Sequence, residues 1–436
     1  MLKLANKSNW LGTGAIGIAL ALTTGAWFYV NHVIVPFQVR EAVAHDHPRG
    51  NLSDLYPRWL GTRELLLHGR DPYSPDITRE IQQGYYGRAL DPARPGDPKD
   101  QAAFAYPVYV VFLIAPTVHM SFAHVQVLFA SLLWIVTAAS VSLWLRVLRW
   151  KPTASIAITL AILTLGCIYV IQGIKLQQLS LVVAALLAAC FAAAASGYLS
   201  FAGAFLALAT IKPQLALLPG IWLLAWSVAR WRARWHLAAA FSFTMLAQLI
   251  GAQLLLPGWM GSFVIAMRNY HSYTHNESLL QLLSTPALGY VLAMVLLLLT
   301  AWLCRDGLSA PSHSGQFAAS TTLVLTLVVL TVPMFALYNQ VLLLPALLLI
   351  GHDWQRLQKT RIGRLLSGIT ALLVLWPWLA SLVLDASLLI FPVNTVLDHW
   401  KIPFFTTFAL PPLVFTTIAY NLTQNAGLRA VGDSNR

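Results

Sequence analysis

Ionisable and amide side chains are scarce in this chain, and those with chemical potential stand at the ends of long apolar runs. Asp54 lies in the stretch NLSDLYPRWLGTRELLLHG, just past the first of those runs. A carboxylate held there can take the proton of an attacking hydroxyl. It can equally cap the short amphipathic helix that DLYPRWLGTRELLLHG describes, since it sits near that helix's N-terminal end. Four cations, Lys175, Lys212, Arg268 and Lys401, fall where short loops on the outer side of a membrane ought to carry none. At membrane depth an ionised side chain costs about 2.5–3.5 kcal/mol on insertion scales, so each is a candidate for function. Lys212, in ALATIKPQLALL between two apolar runs, is the foremost. A lysine whose stem snorkels to the interface is the alternative.

Amides and tyrosines accompany these cations. Gln172, Gln177 and Gln178 flank Lys175 in IYVIQGIKLQQLSLVV and make a polar corner between two apolar segments. Asn276 belongs to the cluster that follows Arg268 (Asn269, Tyr270, His271, His275, Glu277, Ser278), suited either to a sugar or head group or to a wet interfacial loop. Tyr338-Asn339-Gln340 is a further polar trio, with Tyr338 open to an aromatic-belt reading as well. Asp71 and Tyr73, in RDPYSP, are expected to shape the first loop, because Pro72 biases its neighbour to extended geometry and ends the preceding helix. The histidines show no ligand spacing, so no metal is expected. Phosphate-loop, nucleophile-elbow and dinucleotide fingerprints are missing from the sequence. The three cysteines, Cys167, Cys190 and Cys304, fall within or at the end of apolar segments and read as packed thiols.

The elements that must position these groups are membrane helices. Of 436 residues 58% are apolar and only 10% are charged, with a mean hydropathy of +0.66, whereas soluble domains carry roughly 25% charged residues. The net charge of +12 does not point to nucleic acid. Its cations cluster in short knots between apolar runs (Lys3/Lys7, Arg146/Arg149/Lys151, Arg230/Arg232/Arg234, Arg305, Arg356 to Arg364, Arg429), as the positive-inside rule requires of cytoplasmic loops. The first apolar run, Leu11–Val30, reads as a retained helix rather than a cleaved leader. With the knots inside, residues 31–124 form a large external loop carrying 10 of the 16 acidic residues.

The expectation is an all-α, polytopic integral membrane protein, one domain over 1–436. About twelve spans are expected: 11–30, 125–146, 153–171, 179–196, 199–211, 213–229, 236–256, 286–303, 318–337, 340–351, 363–384 and 404–422. Both termini would then be cytoplasmic. Segment 104–119 is too short to cross and is interrupted by Pro107 and Pro116, so it reads as a re-entrant or juxtamembrane helix. Backbone of that kind is tolerated only where protein covers it or it lines a cavity. Segment 259–283 is expected to lie outside, on or dipping into the membrane.

Several segments together resemble glycosyltransferase family 87. They are the first-loop aspartate followed by HGRDPYSP, then AYPVYVVFLIAP, QGIKLQQLSLVVAALLAA, GAFLALATIKPQLALLPGIWLL, the WRARW knot, NESLLQLL and YNQVLLLPALLLI, in that order. Val108 stands where the family carries a second proline, and Gln177-Gln178 where it carries Gly-Gln. The resemblance implies a GT-C-like fold. It also implies an inverting transfer of a hexose, mannose-like, from a polyprenyl-phosphate donor to a lipid or glycan acceptor at the outer face of the cytoplasmic (inner) membrane. No cofactor is implied beyond that lipid-linked co-substrate. Asp54 would be the general base. Lys212, Arg268 and Lys175 would serve the donor phosphate, and Tyr338, Asn276 and Gln178 the substrates. A lipid or glycolipid transporter, or an oligosaccharide ligase, are the competing readings. The first should show intramembrane acids at mid-depth, and the second more outward-facing arginines.

Overall fold

Apolar runs become helices throughout the computed structural model, which describes residues 2–44, 53–91, 93, 94, 96–274 and 277–434; no strand occurs among the described residues. In chain order these are α1 (Leu2–Tyr29), α2 (Val35–Ala44), α3 (Tyr56–His68), α4 (Pro75–Tyr86), α5 (Phe122–Val147), α6 (Ala154–Leu165), α7 (Ile168–Lys175), α8 (Leu179–Ala195) and α9 (Leu199–Ala209). They continue with α10 (Pro213–Ala229), α11 (Trp231–Leu255), α12 (Trp259–Thr274), α13 (Pro286–Ser309), α14 (Gly315–Thr331), α15 (Leu344–His352), α16 (Arg361–Ser387) and α17 (Leu410–Ser434), joined by shorter helical turns.

The expected boundaries recur, but the expected number of full crossings does not. Among the described residues five helices have the length and apolarity of a span, with Gly12–Ala44 taken as one, and six if the bent pair α6–α7 counts as one. Six further apolar stretches are shorter. At about 1.5 Å per residue, the 11 residues of α9 rise only about 16 Å, against a hydrocarbon core of about 30 Å. Alternating polarity along the chain marks where helices start and stop. It does not separate a crossing from a helix that ends inside the protein.

Two departures bear on the site. The first helix does not stop near Val30: it passes through a π turn, Val30–Ile34, and continues as α2 to Ala44, so the external loop begins with helix. The segment expected as one span over 153–171 is instead broken, with α6 and α7 bent by 59°. Gly166 marks the break, where a Cβ would lie 2.7 Å from the Thr23 Cα of α1. The carbonyls freed there are not left bare. Leu165 O accepts from the Trp27 indole N–H at 3.3 Å and Gly166 O from that of Trp378 at 2.7 Å, which removes the penalty of unsatisfied backbone in an apolar setting. The break turns α7 sideways and delivers the Lys175–Gln178 corner to the end of the bundle that holds α3 and α4.

Above that end, α3 and α4 pack as a hairpin. Ser74 caps α4 by accepting the Ile77 N–H, with Pro75 at its first position. Gly84 admits the Tyr56 hydroxyl where any Cβ would collide with it at 1.9 Å. Residues 108–117 form short helical turns with Val108, Val110, Val111 and Ile114 fully buried. Protein thus covers this backbone, as the re-entrant reading requires. α5 then runs for 26 residues, roughly 39 Å, from the aromatic contacts of Phe122 with Tyr56 and Trp59 to Arg146 at its far end. There Arg146, Arg149, Lys151 and His313 share a second, basic pocket.

Candidate active site

A cavity of about 270 Å³ opens where α3, α12, the segment before residue 107 and three helix connections converge, and Asp54, Gln178 and Lys212 all line it. Each arrives by a different local device. Asp54 precedes α3, and its own N–H donates to the carbonyl of Leu176 at 2.9 Å, which ties the first loop to the α7–α8 corner. That corner is sharp because Gln177 takes a left-handed conformation, φ 47°, at a cost of roughly 1–2 kcal/mol for a residue with a Cβ. The Gln177 side-chain amide holds it there, donating to Ile174 O at 2.9 Å and Lys175 O at 2.8 Å. Gln178 closes the turn through its N–H to Gly173 O at 2.8 Å and projects its side chain into the cavity.

The Gln178 amide joins the acid to the lysine. Its Nε2 donates to Asp54 Oδ2, while its Oε1 accepts from Lys212 Nζ at 3.4 Å. The Tyr85 hydroxyl donates to the other oxygen, Asp54 Oδ1, at 3.2 Å. Lys212 occupies the connection between α9 and α10, and Pro213 starts the next helix. Its ammonium is buried, donates to Ser180 Oγ at 2.5 Å and lies 5.0 Å from the centre of the Tyr338 ring. Ser180 passes its own hydroxyl hydrogen to Asn339 Oδ1 at 2.9 Å. One continuous hydrogen-bonded set therefore fixes the carboxylate, the ammonium and the Tyr338–Asn339 turn relative to one another.

Arg58 stands one helical turn after Asp54 and contributes a second cation. Its Nη1 donates to the main-chain carbonyl of Asp54 at 2.9 Å, leaving the carboxylate free of it, and its guanidinium sits 4.6 Å from the Tyr106 ring centre. Its Nε is buried without a hydrogen-bond partner among the described residues. Arg58 lines the cavity, so its guanidinium presents a positive charge to whatever occupies it.

Burial and neighbouring charge set the protonation of the pair. Enclosure pushes the Asp54 carboxyl above the ordinary carboxylate range, against the opposing pull of Arg58 and the Gln178 hydrogen bond. Enclosure likewise lowers the Lys212 ammonium, to about 7, with Arg58 adding to the fall and Asp54 resisting it. A carboxylate with a raised proton affinity is a better base, and an ammonium held out of bulk water gains more from an anion beside it than an exposed one does.

The sequence-derived candidates divide cleanly in space. Asp54, Gln178, Lys212 and Tyr338 share the cavity. Arg268 does not: it is exposed on α12, whose cavity face is presented by Met267 and Tyr270, three residues apart, with position 268 rotated off it. Lys175 points away and donates to Asn31 Oδ1 at 2.7 Å. Asn276 lies outside the described residues. Asp71 Oδ1 accepts the Tyr73 N–H at 2.9 Å, and the Tyr73 hydroxyl donates to Tyr106 O at 2.6 Å while its ring meets Phe104 edge-on, so both support the cavity wall from behind. The capping alternative for Asp54 is not what the geometry shows. Leu55 holds the cap position of α3 with no side-chain bond, and both Asp54 oxygens are engaged elsewhere. Arg58, Tyr85, Asp100 and Tyr106 also line the cavity and were not anticipated. Only Arg58 left a signal, at position i+4 from Asp54 on an amphipathic helix.

The model of one family, described as glycosyltransferase family 87, matches residues 104–333, more than half of the chain. The matched stretch contains Gln178, Ser180, Lys212 and Tyr270, whereas Asp54 and Arg58 precede it. No curated protein and no solved structure matches the chain.

Proposed function

The chain belongs to glycosyltransferase family 87, and from that premise we propose that this membrane glycosyltransferase moves a hexose from a polyprenyl phosphate to a hydroxyl of a lipid or glycan acceptor, with inversion. The observation that carries the reading is the juxtaposition in one cavity of a carboxylate, a buried ammonium joined to it through Gln178, and the Arg58 guanidinium.

The step balances on these groups. The acceptor oxygen attacks the anomeric carbon as Asp54 takes its proton. The bond from that carbon to the phosphate oxygen breaks on the opposite face, and its electron pair leaves with the polyprenyl phosphate. Negative charge grows on the departing phosphate, where Lys212 and Arg58 meet it as cations fixed in place before the reaction. In this reading the two cations do the work that a divalent metal does in other transferases, so chelator leaves transfer unchanged. Tyr85 and Gln178 aim the Asp54 oxygens. The polar pocket of Arg146, Arg149, Lys151 and His313 at the far end of α5 supports an orientation with that end in the cytoplasm and the cavity on the outer face of the cytoplasmic membrane.

Asp54→Asn tests the reading directly. It preserves shape and removes the base, so transfer in purified protein or membranes should fall by about 10²–10⁴-fold while the variant remains folded and membrane-inserted. Full turnover by Asp54→Asn would falsify the assignment of the base.

A further inference from the structure

The cavity has a second carboxylate at its mouth that the proposed transfer does not use. Asp100 lines the same cavity as Asp54 but is exposed, where Asp54 is partly enclosed. Its position is fixed on three sides. Asp100 Oδ1 accepts the N–H of Ala102 at 2.9 Å, its main-chain carbonyl accepts the Tyr86 hydroxyl at 2.7 Å, and neighbouring Gln101 is held through both its oxygens by Gln82. Ala102 is itself left-handed, φ 51°, a conformation an alanine adopts only when its surroundings impose it. The result leaves Asp100 exposed in the cavity lining, with Oδ2 outside the bond that Oδ1 makes to Ala102. Tyr270 lines the cavity there, with Tyr273 packed against it at 5.5 Å between ring centres. The Tyr273 hydroxyl is buried and has no hydrogen-bond partner among the described residues. The charge of Asp100 reaches both phenols and, with burial as the larger cause, pushes them above their ordinary values, so each stays a neutral hydroxyl.

A carboxylate oxygen left open and the tyrosine rings that line the same cavity form the chemistry that recognises a ring bearing several hydroxyls. A phosphate would be repelled by it, and an acyl chain would leave its polar groups unpaired. We propose that Asp100 is the residue that selects the acceptor, accepting a hydrogen bond from a hydroxyl adjacent to the one that Asp54 deprotonates, so that the acceptor is a sugar or other polyol head rather than a lipid with a single hydroxyl. This rests on the transfer reading above and names the acceptor class of that same cavity. A hydrogen bond to a charged group contributes about 1.5–3 kcal/mol, which corresponds to roughly 10- to 150-fold in discrimination.

The experiment compares wild type, Asp100→Asn and Asp100→Ala, with a polyprenyl-phosphate hexose as donor and octyl hexopyranosides, their single-deoxy analogues and 1-octanol as acceptor probes. Asp100→Asn keeps an oxygen for the Ala102 N–H, so the loop is retained while the charge is lost. Expected are transfer by wild type to a hexopyranoside but not to octanol, and a rise of at least about tenfold in acceptor KM for both variants. One deoxy analogue should be penalised by wild type and not by Asp100→Ala. Donor KM, and slow hydrolysis of donor by water, should not change, because water needs no selection at the mouth. Equal use of octanol and hexopyranoside by wild type, or an unchanged acceptor KM in both variants, overturns the proposal. Loss of donor hydrolysis in wild type as well would sink the transfer reading instead, and that outcome separates the two failures.

Discussion

Two arginines pack over aromatic rings near helix ends, and they are spent in opposite ways. Arg234, at the basic end of α11, sits 3.7 Å from the Trp226 ring centre and is buried. Its guanidinium donates to Trp226 O at 2.7 Å, Leu308 O at 2.8 Å and Ala310 O at 2.7 Å, carbonyls that close the ends of α10 and α13. Arg58, at the cavity, gives one bond to a main-chain carbonyl, stacks on Tyr106 and keeps a buried Nε unmatched. A cation whose donors are consumed by carbonyls fastens helices together. A cation held at a cavity wall by one main-chain bond is placed to meet what enters the cavity. The same contrast separates Lys175, paired with Asn31, from Lys212, whose neighbours fix it beside open volume.

The sharpest way to break the comparison is to remove the two cavity charges that transfer would need. Asp54→Asn carries the largest expected loss, as set out above. Arg58→Ala should follow, with transfer reduced by about 10²–10³-fold, the range for removing one donor to developing negative charge. Arg58→Lys should recover only part of it, because an ammonium cannot stack on Tyr106 and still present a forked donor. The readout is single-turnover transfer with saturating donor. If Arg58→Ala transfers at the wild-type rate, the guanidinium has no part in the reaction and the contrast with Arg234 loses its meaning.

How much of this was legible before any coordinates follows from which forces act locally. The starts and stops of helices are written in apolar runs and in Ser, Thr, Pro and Gly punctuation, so α5, α8, α10 and α16 fall close to where the sequence puts them. Lys212, Gln178 and Tyr338 stood out as polar groups between apolar runs, and Asp54 through its likeness to the first-loop aspartate of glycosyltransferase family 87. Arg58 and Asp100 did not, because each sits among other charges of the first loop and only packing distinguishes it. Arg268 misled for the complementary reason: it neighbours residues that do line the cavity, but one residue along a helix is a rotation of about 100°. The bend at Gly166 was hidden because its cause, the approach of Thr23 and two indole donors, comes from residues more than 130 positions away.

Lys212 offers a finer test, through pH. The free enzyme needs Asp54 deprotonated and Lys212 protonated. Burial raises the first, so kcat/KM for donor falls as pH drops through that raised value. Burial lowers the second to about 7, so kcat/KM also falls as pH rises past it. The expected profile is a bell whose alkaline limb lies unusually low for a lysine. In Lys212→Arg the cation stays charged across the whole range, so the alkaline limb should move up by at least two pH units even if the peak is lower. An unmoved limb would mean that some other group titrates there.

Arg234→Ala supplies the other arm of the comparison and the smallest effect on chemistry. Removing the guanidinium orphans carbonyls at the ends of α10 and α13 in a place water reaches poorly, and a buried acceptor left unsatisfied costs about 1–3 kcal/mol. The Trp226 ring also loses its stacked partner. Thermal unfolding in detergent should therefore begin several degrees lower, and the yield of folded protein should drop. Among molecules that remain folded nothing near Asp54 changes, because the affected carbonyls belong to the end that carries the basic residues, so donor KM, acceptor KM and the pH profile per folded molecule should match wild type. A change in donor KM without loss of stability would show that the two ends communicate, and a guanidinium saturated with carbonyls could then no longer be treated as purely a fastener.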